Sequence, residues 1–408
     1  MKLALALLFL TVVTPEDLAT PADRLALKRG MNTEIWLDWL PLDEMLTTPG
    51  FLDTYPDYPR QMPPGQLTQL ASEGFDFLRI AADPAPLLAL AGTDRETALL
   101  AQLRARVDEA QAAGLKVILD LHAFPRDEEY DVDWALASDA NFAAYTAMAA
   151  RVAATLNGLP PDRTALQLMN EPTQDCDALT DDPATSTWPP RLKRLHDAAR
   201  QAAPDLPLVL SGACWGGAWA LAQLDPALIG DANVLWSIHS YDPFLFTHQG
   251  ATWTDEPARF FSGIPYPPDK LDDPTADRLF DDALARAEAA GDASATSADL
   301  DTALLDYREG GDEVAQPLEQ AALWADAHGI PRNRLILDEF GAMRETADGT
   351  ELDRDSYLAF IADKRRAAED RGIGWAVWSW RGTMRVSVSD DSYTLDPQVC
   401  TALGLPGC

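Results

Sequence analysis

The sequence predicts an α/β fold, a (β/α)8 barrel of the TIM type, on three observations. Short apolar runs alternate with longer Ala-rich, charge-patterned segments along the 408 residues. Eight such runs are present, as a closed eight-stranded barrel requires. Polar residues follow several runs directly, which is how a parallel barrel gathers side chains at one rim. A doubly wound sheet would need a glycine-rich turn after the first strand, where only Gly30 is present.

The eight strands and five clear helices can be assigned in order. The predicted strands cover residues 25–31, 75–81, 115–121, 165–169, 206–210, 234–237, 335–338 and 374–378. The predicted helices cover residues 95–113, 140–156, 190–203, 314–328 and 356–371. Gly114, Gly329 and Gly372 end three of these helices, because glycine tolerates the positive φ of a helix C-terminus.

One connection, residues 243–311, is far longer than the few residues usual between barrel elements. It follows the sixth strand and therefore lies on the rim that carries the polar strand ends. Residues 244–253 are rich in aromatic side chains suited to stacking on sugars, and residues 272–301 are acidic, Ala-rich and expected to be helical or mobile. With no linker elsewhere, residues 20–408 are predicted to form a single domain.

The composition is that of a globular protein, with 47% hydrophobic and 24% charged residues. The 65 acidic and 32 basic residues give a net charge of −33, which repels nucleic acid and anionic lipid. We therefore expect no nucleic-acid or membrane partner, a neutral or cationic substrate, and a monomer. The simpler interpretation of this acidity is a well-solvated surface, which says little about mechanism.

The N-terminus predicts export to a secreted or periplasmic location. Residues 1–19 have the features of a signal peptide, with Lys2 before an apolar stretch too short to span a bilayer, although no clear Ala-x-Ala cleavage site follows. Four cysteines fit an oxidising compartment. We expect Cys176 to pair with Cys214 and Cys400 with Cys408, while the sequence alone allows three connectivities.

Two glutamates end apolar runs, Glu171 in Leu-Gln-Leu-Met-Asn-Glu-Pro and Glu339 in Leu-Ile-Leu-Asp-Glu-Phe-Gly. A lone glutamate at a strand end is more often a helix cap or a surface ion-pair partner. Two carboxylates that face each other at one rim instead indicate cleavage of a glycosidic bond. The other polar or aromatic strand ends are Arg79, His122, Asn170, His239, Tyr241 and Trp378.

This set, in this order and on these strands, resembles glycoside hydrolase family 5, the large family of cellulases and mannanases, over residues 27–382. The resemblance implies that Glu171 is the general acid and base and Glu339 the nucleophile of a retaining mechanism. It implies an endo-acting enzyme on β-linked polysaccharide, with β-1,4-glucan as the favoured substrate. The alternatives are a β-mannanase, an exo-β-glucanase or a β-glucosidase. The alternative from another class is an inactive barrel that binds polysaccharide through its aromatic residues.

The flanking residues give the two glutamates different environments. Arg79 is expected to keep Glu339 ionised, Tyr241 to hydrogen-bond the same carboxylate, and His239 to tune the proton of Glu171. A separation of about 5 to 5.5 Å between the carboxyl groups predicts retention, and one near roughly 9 Å predicts inversion.

The other strand-end residues are predicted to bind the sugar. Asn170 can donate to a sugar 2-hydroxyl, His122 binds a sugar hydroxyl or supports Arg79, and Trp378 forms the floor under the sugar whose bond is cut. Three further aromatic residues are equally well explained as sugar platforms or as packing: Trp36, Trp215 and Trp253. His248, in the long connection, is expected to be peripheral.

Several kinds of chemistry lack their sequence motifs. The chain has no His-Glu-x-x-His, no Cys-x-x-Cys and no other metal-ligand spacing, so we predict no metal site. It has no Gly-x-Ser-x-Gly elbow and no phosphate-binding glycine loop. We therefore predict neither a serine hydrolase nor a cofactor.

Overall fold

The computed structural model describes residues 19–37, 42–47, 62–124, 129–254, 257–291, 295–311, 313–346 and 349–408. The predicted signal peptide, except for its last residue, lies outside these ranges. The prediction of one domain over residues 20–408 stays a prediction.

Eight parallel strands close into a barrel, in the sequential order β1 to β8 with β8 paired to β1. The strands are β1 Arg29–Leu37, β2 Phe77–Ala82, β3 Lys116–Leu121, β4 Thr164–Gln167, β5 Leu208–Ser211, β6 Val234–His239, β7 Leu335–Glu339 and β8 Gly374–Val377. Helices occupy the connections between them. The predicted fold class is therefore confirmed.

The α-helices of the described ranges include all five predicted ones. Their bounds are Pro21–Leu25, Leu42–Thr47, Gln66–Glu73, Ala85–Ala89, Asp94–Ala112, Val132–Leu136, Asp139–Leu156, Cys176–Asp181, Trp188–Ala202, Ala218–Leu221, Phe244–Thr247, Asp273–Ala290, Ser297–Glu309, Gln316–Ala327, Arg354–Glu369 and Pro397–Ala402. Two of them, Asp273–Ala290 and Ser297–Glu309, lie in the second half of the long connection, so its acidic half is helical. None of the helices in these ranges combines the length and the apolar composition needed to cross a bilayer.

The first strand differs from its prediction. Residues 25–31 were expected, whereas β1 is Arg29–Leu37 and Leu25 ends a helix whose N-terminus is closed by a Thr20–Asp23 capping box. That helix buries Ala22 and Leu25 against the lower barrel interior. Leu25 and Leu27, which were predicted to lie in the first strand, therefore help to close the bottom of the barrel.

The lower interior of the barrel is apolar. Side chains from seven strands form one buried cluster with Leu25 and Leu27: Phe77, Ile118, Ala165, Val209, Leu235, Ile336 and Ala376. The phenyl ring of Phe77 occupies the space that a Cβ on Gly30 of β1 would take. Only glycine therefore fits at this position of β1, and this close packing makes the base of the barrel solid.

Both predicted disulfides are confirmed. Cys176 and Cys214, with Cα atoms 4.9 Å apart, join the connection after β4 to the connection after β5. Cys400 and Cys408, with Cα atoms 6.0 Å apart, join the last helix to the C-terminal residue. The first bridge lies next to the rim that carries Glu171.

Candidate active site

A polar layer lies directly above the apolar layer of the barrel interior. Successive inward-facing residues of a strand are two apart, so the residue two beyond each apolar one faces the same interior. On seven strands that residue is polar and buried: Asn32, Arg79, Asp120, Gln167, Ser211, Ser237 and Asp338. The strands thus carry hydrogen-bonding groups to the base of the rim.

Arg79 is the centre of this layer and is fully buried. Its Nε donates to Gln167 Oε1 at 2.8 Å, and Nη1 donates to Asn32 Oδ1 at 2.9 Å. Nη2 donates to Asn170 Oδ1 at 2.8 Å and lies 2.9 Å from Asp120 Oδ2. A guanidinium held by this many acceptors is fixed in place and stays charged.

Glu339, the last residue of β7, accepts two side-chain hydrogen bonds. Arg79 Nη1 donates to its Oε1 at 2.6 Å, and the Tyr241 hydroxyl donates to its Oε2 at 2.9 Å. Burial alone would raise the pKa of Glu339, but the positive charges of His239 and Arg79 lower it below the ordinary value. Burial and the charge of Glu339 raise the pKa of Tyr241, so its hydroxyl keeps the proton it donates. Glu339 is therefore the ionised carboxyl of the site.

Glu171 lies four residues beyond the end of β4 and has a backbone φ of 23°. A non-glycine residue in this region carries strain of order 1–3 kcal/mol, and such strain gathers at functional sites. Burial raises the pKa of Glu171, and the nearby charge of Glu339 raises it further, although His239 opposes both effects. Of the two glutamates, Glu171 is therefore the one that holds its proton to higher pH.

His239 bridges the acids of the site. Its Nδ1 lies 2.7 Å from Glu171 Oε1 and 3.5 Å from Glu339 Oε2, and its Nε2 lies 3.3 Å from Asp338 Oδ1. Burial lowers the pKa of His239, but the negative charges of Glu339 and Asp338 raise it well above the ordinary value. His239 is accordingly a cation that donates from both ring nitrogens, and it contacts Glu171 as the sequence predicts.

The two glutamates face each other. One carboxylate oxygen of Glu171, one of Glu339 and a nitrogen of His239 all lie within 4.8 Å of one another. This close approach of single oxygens favours the narrow spacing of a retaining pair, about 5 to 5.5 Å between carboxyl groups, over the roughly 6.5 to 9.5 Å of an inverting pair.

These three residues are also the one group within the described ranges with the spacing of a metal site. An imidazolium has no lone pair for a metal, so binding an ion would require His239 to lose a proton that the carboxylates of Glu339 and Asp338 stabilise. The prediction of no metal stays a prediction, and the charge state of His239 supports it.

Asn170 and His122 surround the pair in ways that fit their predicted roles. Asn170 Nδ2 is buried, and no partner for it is present among the described residues, so it can donate to a ligand. His122 Nδ1 lies 2.7 Å from Asp120 Oδ2, and the same oxygen contacts Arg79. His122 therefore supports Arg79 through Asp120, one of its two predicted roles.

Trp378 lies one residue beyond β8, and its ring stacks on His122 with centroids 5.2 Å apart. The ring is only partly buried. It therefore retains accessible surface beside the site, as a floor under a sugar would require.

The three tryptophans whose role the sequence leaves open differ in their exposure to solvent. Trp36 is 2% exposed and packs in the core, so its interpretation as a sugar platform is wrong. Trp215 is 44% exposed, and its backbone N–H donates to Pro172, next to Glu171, at 3.0 Å. Trp253 is 48% exposed.

Trp253 belongs to an aromatic ledge formed by Phe244, His248 and Trp253. The rings of Phe244 and His248 stack at 3.9 Å, and the Trp253 ring meets His248 edge-on at 6.4 Å. His248 also lies 5.0 Å from the Tyr241 ring, so the expectation that it is peripheral is wrong. Burial lowers the pKa of His248 to about 3, which keeps this ring neutral.

Sequence reasoning missed the residues that hold Arg79 and Asp338 from inside the strands. Asn32 and Gln167 accept from Arg79, and Ser237 Oγ donates to Asp338 Oδ1 at 2.6 Å. Gln167 and Ser237 are polar residues in otherwise mostly apolar strands, and that signal could have identified them, whereas Asn32 lies in a strand of mixed composition.

A parallel barrel with one neutral and one ionised carboxyl facing each other at its rim has the architecture of glycosidic-bond hydrolases. Residues 58–383 match the family described as Cellulase (glycosyl hydrolase family 5). Because this match spans most of the chain, the protein belongs to glycosyl hydrolase family 5.

Individual relatives agree with this family. The chain is 27% identical over 333 residues to Endoglucanase 3 of Fibrobacter succinogenes, a match that spans 78% of this chain and 46% of that protein. The solved structure of a hyperthermophilic endo-β-1,4-glucanase has a TM-score of 0.65 at 18% identity and covers 95% of this chain and 100% of its own. The structure of Cel5A of Thermotoga maritima with mannotriose has a TM-score of 0.63 at 18% identity. The match covers 94% of this chain and 99% of that chain.

Proposed function

We propose that the protein cleaves internal β-1,4 bonds of a neutral glucan with net retention of anomeric configuration. One observation carries the proposal: two facing carboxyl groups, one of raised and one of lowered pKa, lie within 4.8 Å at the barrel rim. Such a pair supplies an acid and a nucleophile at the same pH.

In the first step, Glu171 gives its proton to the glycosidic oxygen while the Glu339 carboxylate attacks the anomeric carbon. The C–O bond to the leaving sugar breaks, and a covalent glycosyl ester forms on Glu339. In the second step, Glu171, now ionised, takes a proton from water as the water attacks the same carbon. The ester bond breaks, Glu339 is restored, and two inversions give retention.

Neighbouring groups favour these steps. Arg79 and Tyr241 orient Glu339 and stabilise its negative charge before attack and after release. The buried Nδ2 of Asn170 is available to the 2-hydroxyl of the reacting sugar, a contact that strengthens as the oxocarbenium-like transition state forms. No cofactor is needed for this chemistry.

The choice of substrate rests on the relatives of the chain and on its exposed aromatic rings. The curated relative is named an endoglucanase, but the matched region spans less than half of that protein. The exposed Trp215 and Trp253 rings suit a glucan chain with sugars bound beyond the scissile bond, which favours endo action. A β-mannanase stays the alternative, since one solved structure of this fold contains mannotriose. An exo-β-glucanase or β-glucosidase would need one end of the cleft closed.

The test compares wild type with Glu339→Gln on carboxymethyl-cellulose, mannan and mixed-linkage glucan. We expect wild type to release new reducing ends from the glucans, and the variant to lose at least about 1,000-fold in rate because the amide cannot attack. The surface variant Glu319→Gln, far more exposed, is the matched control and should keep wild-type rates. Equal rates for wild type and Glu339→Gln would reject Glu339 as the nucleophile.

Products from defined cello- and manno-oligosaccharides then separate the alternatives. Internal cleavage of cellopentaose supports the endoglucanase, release of single end sugars supports an exo enzyme, and preference for manno-oligosaccharides supports the mannanase. A wild-type protein that binds glucan but never cleaves it would support the inactive polysaccharide-binding barrel.

We further propose that the protein acts outside the cytoplasm, in the secreted or periplasmic location predicted from its N-terminus. Two disulfides support an oxidising compartment. Fractionation of the native host should find the protein with its disulfides outside the cytoplasm. Recovery in the cytoplasm would contradict this location.

A further inference from the structure

A lysine is buried beneath the active-site rim. Lys364 lies on the helix Arg354–Glu369, is fully inaccessible to solvent, and belongs to that helix's otherwise mostly apolar inner face. A buried ammonium is costly unless its donors meet acceptors, so its contacts indicate why it is there.

Lys364 Nζ contacts three oxygens from two chain segments. It donates to Ser240 Oγ at 2.7 Å, to the carbonyl of Asp242 at 3.1 Å and to the carbonyl of Val314 at 3.2 Å. Ser240 Oγ in turn donates to Asp242 Oδ2 at 3.0 Å. The chain leaves β6 through residues 240–242 and returns from the long connection at Val314, so one ammonium ties both ends of that connection together.

Tyr241 is the residue between the two contacts of Lys364 on the outgoing segment. Its carbonyl accepts from Thr247 Oγ1 at 2.6 Å, and its hydroxyl donates to Glu339 at 2.9 Å. The backbone N–H of Ser240 donates to the carbonyl of Glu339 at 3.2 Å. Lys364 therefore fixes the backbone from which the Tyr241 hydroxyl reaches Glu339.

We propose that Lys364 is a positioning residue for the hydrolytic site: through Ser240 and Asp242 it holds the Tyr241 hydroxyl on Glu339. It does not touch the reacting atoms. This inference rests on the proposed function, since it assigns Glu339 the role of nucleophile. It adds a residue outside the rim, on the helix between β7 and β8, to the machinery of the reaction.

A double-mutant cycle tests whether Lys364 acts through Tyr241. Lys364→Met keeps the aliphatic stem and removes the ammonium, and kcat and KM are measured on an aryl β-cellobioside alone and with Tyr241→Phe. We expect about a tenfold lower kcat and less than a twofold change in KM in the Tyr241 background. In the Tyr241→Phe background, where the hydroxyl is already absent, Lys364→Met should lower kcat less than twofold. Equal losses in both backgrounds, or no loss in either, would overturn the proposal.

Two further variants control the experiment. Arg366→Met removes a cation from the exposed face of the same helix and should keep kcat within twofold. If Lys364→Met does not fold, Ser240→Ala replaces it in the cycle, because it removes the hydroxyl between Lys364 and Asp242. The same non-additivity with Tyr241→Phe is expected, and additivity again overturns the proposal.

Hydrogen exchange without substrate separates this inference from the proposed function. Backbone amides of residues 240–242 and 314 should exchange at least about tenfold faster in the Lys364 or Ser240 variant than in wild type, because their segment is released. Unchanged exchange there rejects the positioning role. A wild type inactive on every glycan would reject the proposed function alone, and exchange would still decide whether Lys364 holds the segment.

Discussion

Glu171 and Glu339 are chemically identical side chains that the fold places in opposite charge states. Glu339 is held by the cation Arg79 and by a phenolic donor, which favour its ionised form. Glu171 is partly buried next to that ionised carboxylate and contacts a histidine shared with two other acids. The asymmetry thus arises from their neighbours.

This asymmetry predicts a bell-shaped pH dependence of kcat/KM on an aryl β-cellobioside. Glu339 acts when ionised and its pKa is lowered, so activity should fall on the acid side only below the ordinary glutamate range. Glu171 acts when protonated and its pKa is raised, so activity should fall on the alkaline side only above that range. The two limbs therefore lie on opposite sides of the ordinary value.

Glu171→Ala identifies the alkaline limb. On a dinitrophenyl β-cellobioside, whose leaving group needs no proton, this variant should retain the first step and lose the alkaline limb. Azide should then increase turnover by replacing water, and the product should be the β-glycosyl azide. An alkaline limb that persists in the variant would assign it to another group.

Among the residues of the site, the sequence predicted those that lie at or just after the ends of strands. Glu171, Glu339 and Tyr241 interrupt apolar runs where a parallel barrel opens, so their convergence follows from topology. Gln167 was not predicted because a polar residue inside a strand can equally well face outward, and Asn32 was not predicted because it lay beyond the misplaced first strand. Only the closed barrel shows that both of these side chains contact Arg79.

At the scale of elements, periodicity identified five of the longer helices and seven strands well. The first strand was misplaced because the apolar residues 25–31 belong partly to the helix Pro21–Leu25 that closes the barrel. The true strand, Arg29–Leu37, carries Asn32 towards the polar interior layer and so lacks a continuous apolar run. Lys364 was likewise hidden in a plain helix, although its spacing from Phe360 and Ile361 places it on the inner face.

The long connection provides the aromatic ledge, and this predicts a binding effect for Trp253. Trp253→Ala should raise KM for cellopentaose about fivefold, from the loss of about 1 kcal/mol of stacking, and leave kcat within twofold. KM for a small aryl β-glucoside, which reaches fewer sugar sites, should change little. The matched control is Leu305→Ala, an exposed residue of the same connection that lies outside the ledge. Equal KM changes for both substrates would remove Trp253 from the sugar path.

At the scale of the whole molecule, charge and site chemistry are separate properties. The net charge of −33 comes largely from exposed acids, while the buried acids of the site are matched by Arg79 and His239. Composition therefore indicated which polymers the surface repels, but it could not have identified the position of the active site.

This charge predicts that salt affects anionic and neutral polymers differently. Carboxymethyl-cellulose is a polyanion, so at low ionic strength the protein surface should repel it and raise its apparent KM. Raising NaCl from about 0.02 to 0.3 M shortens the screening length from roughly 20 Å to 6 Å and should lower that KM several-fold. Mixed-linkage glucan, a neutral polymer, is the matched control, and its KM should change less than twofold. An equal salt response for the two polymers would mean that the acidic surface lies too far from the cleft to affect substrate approach.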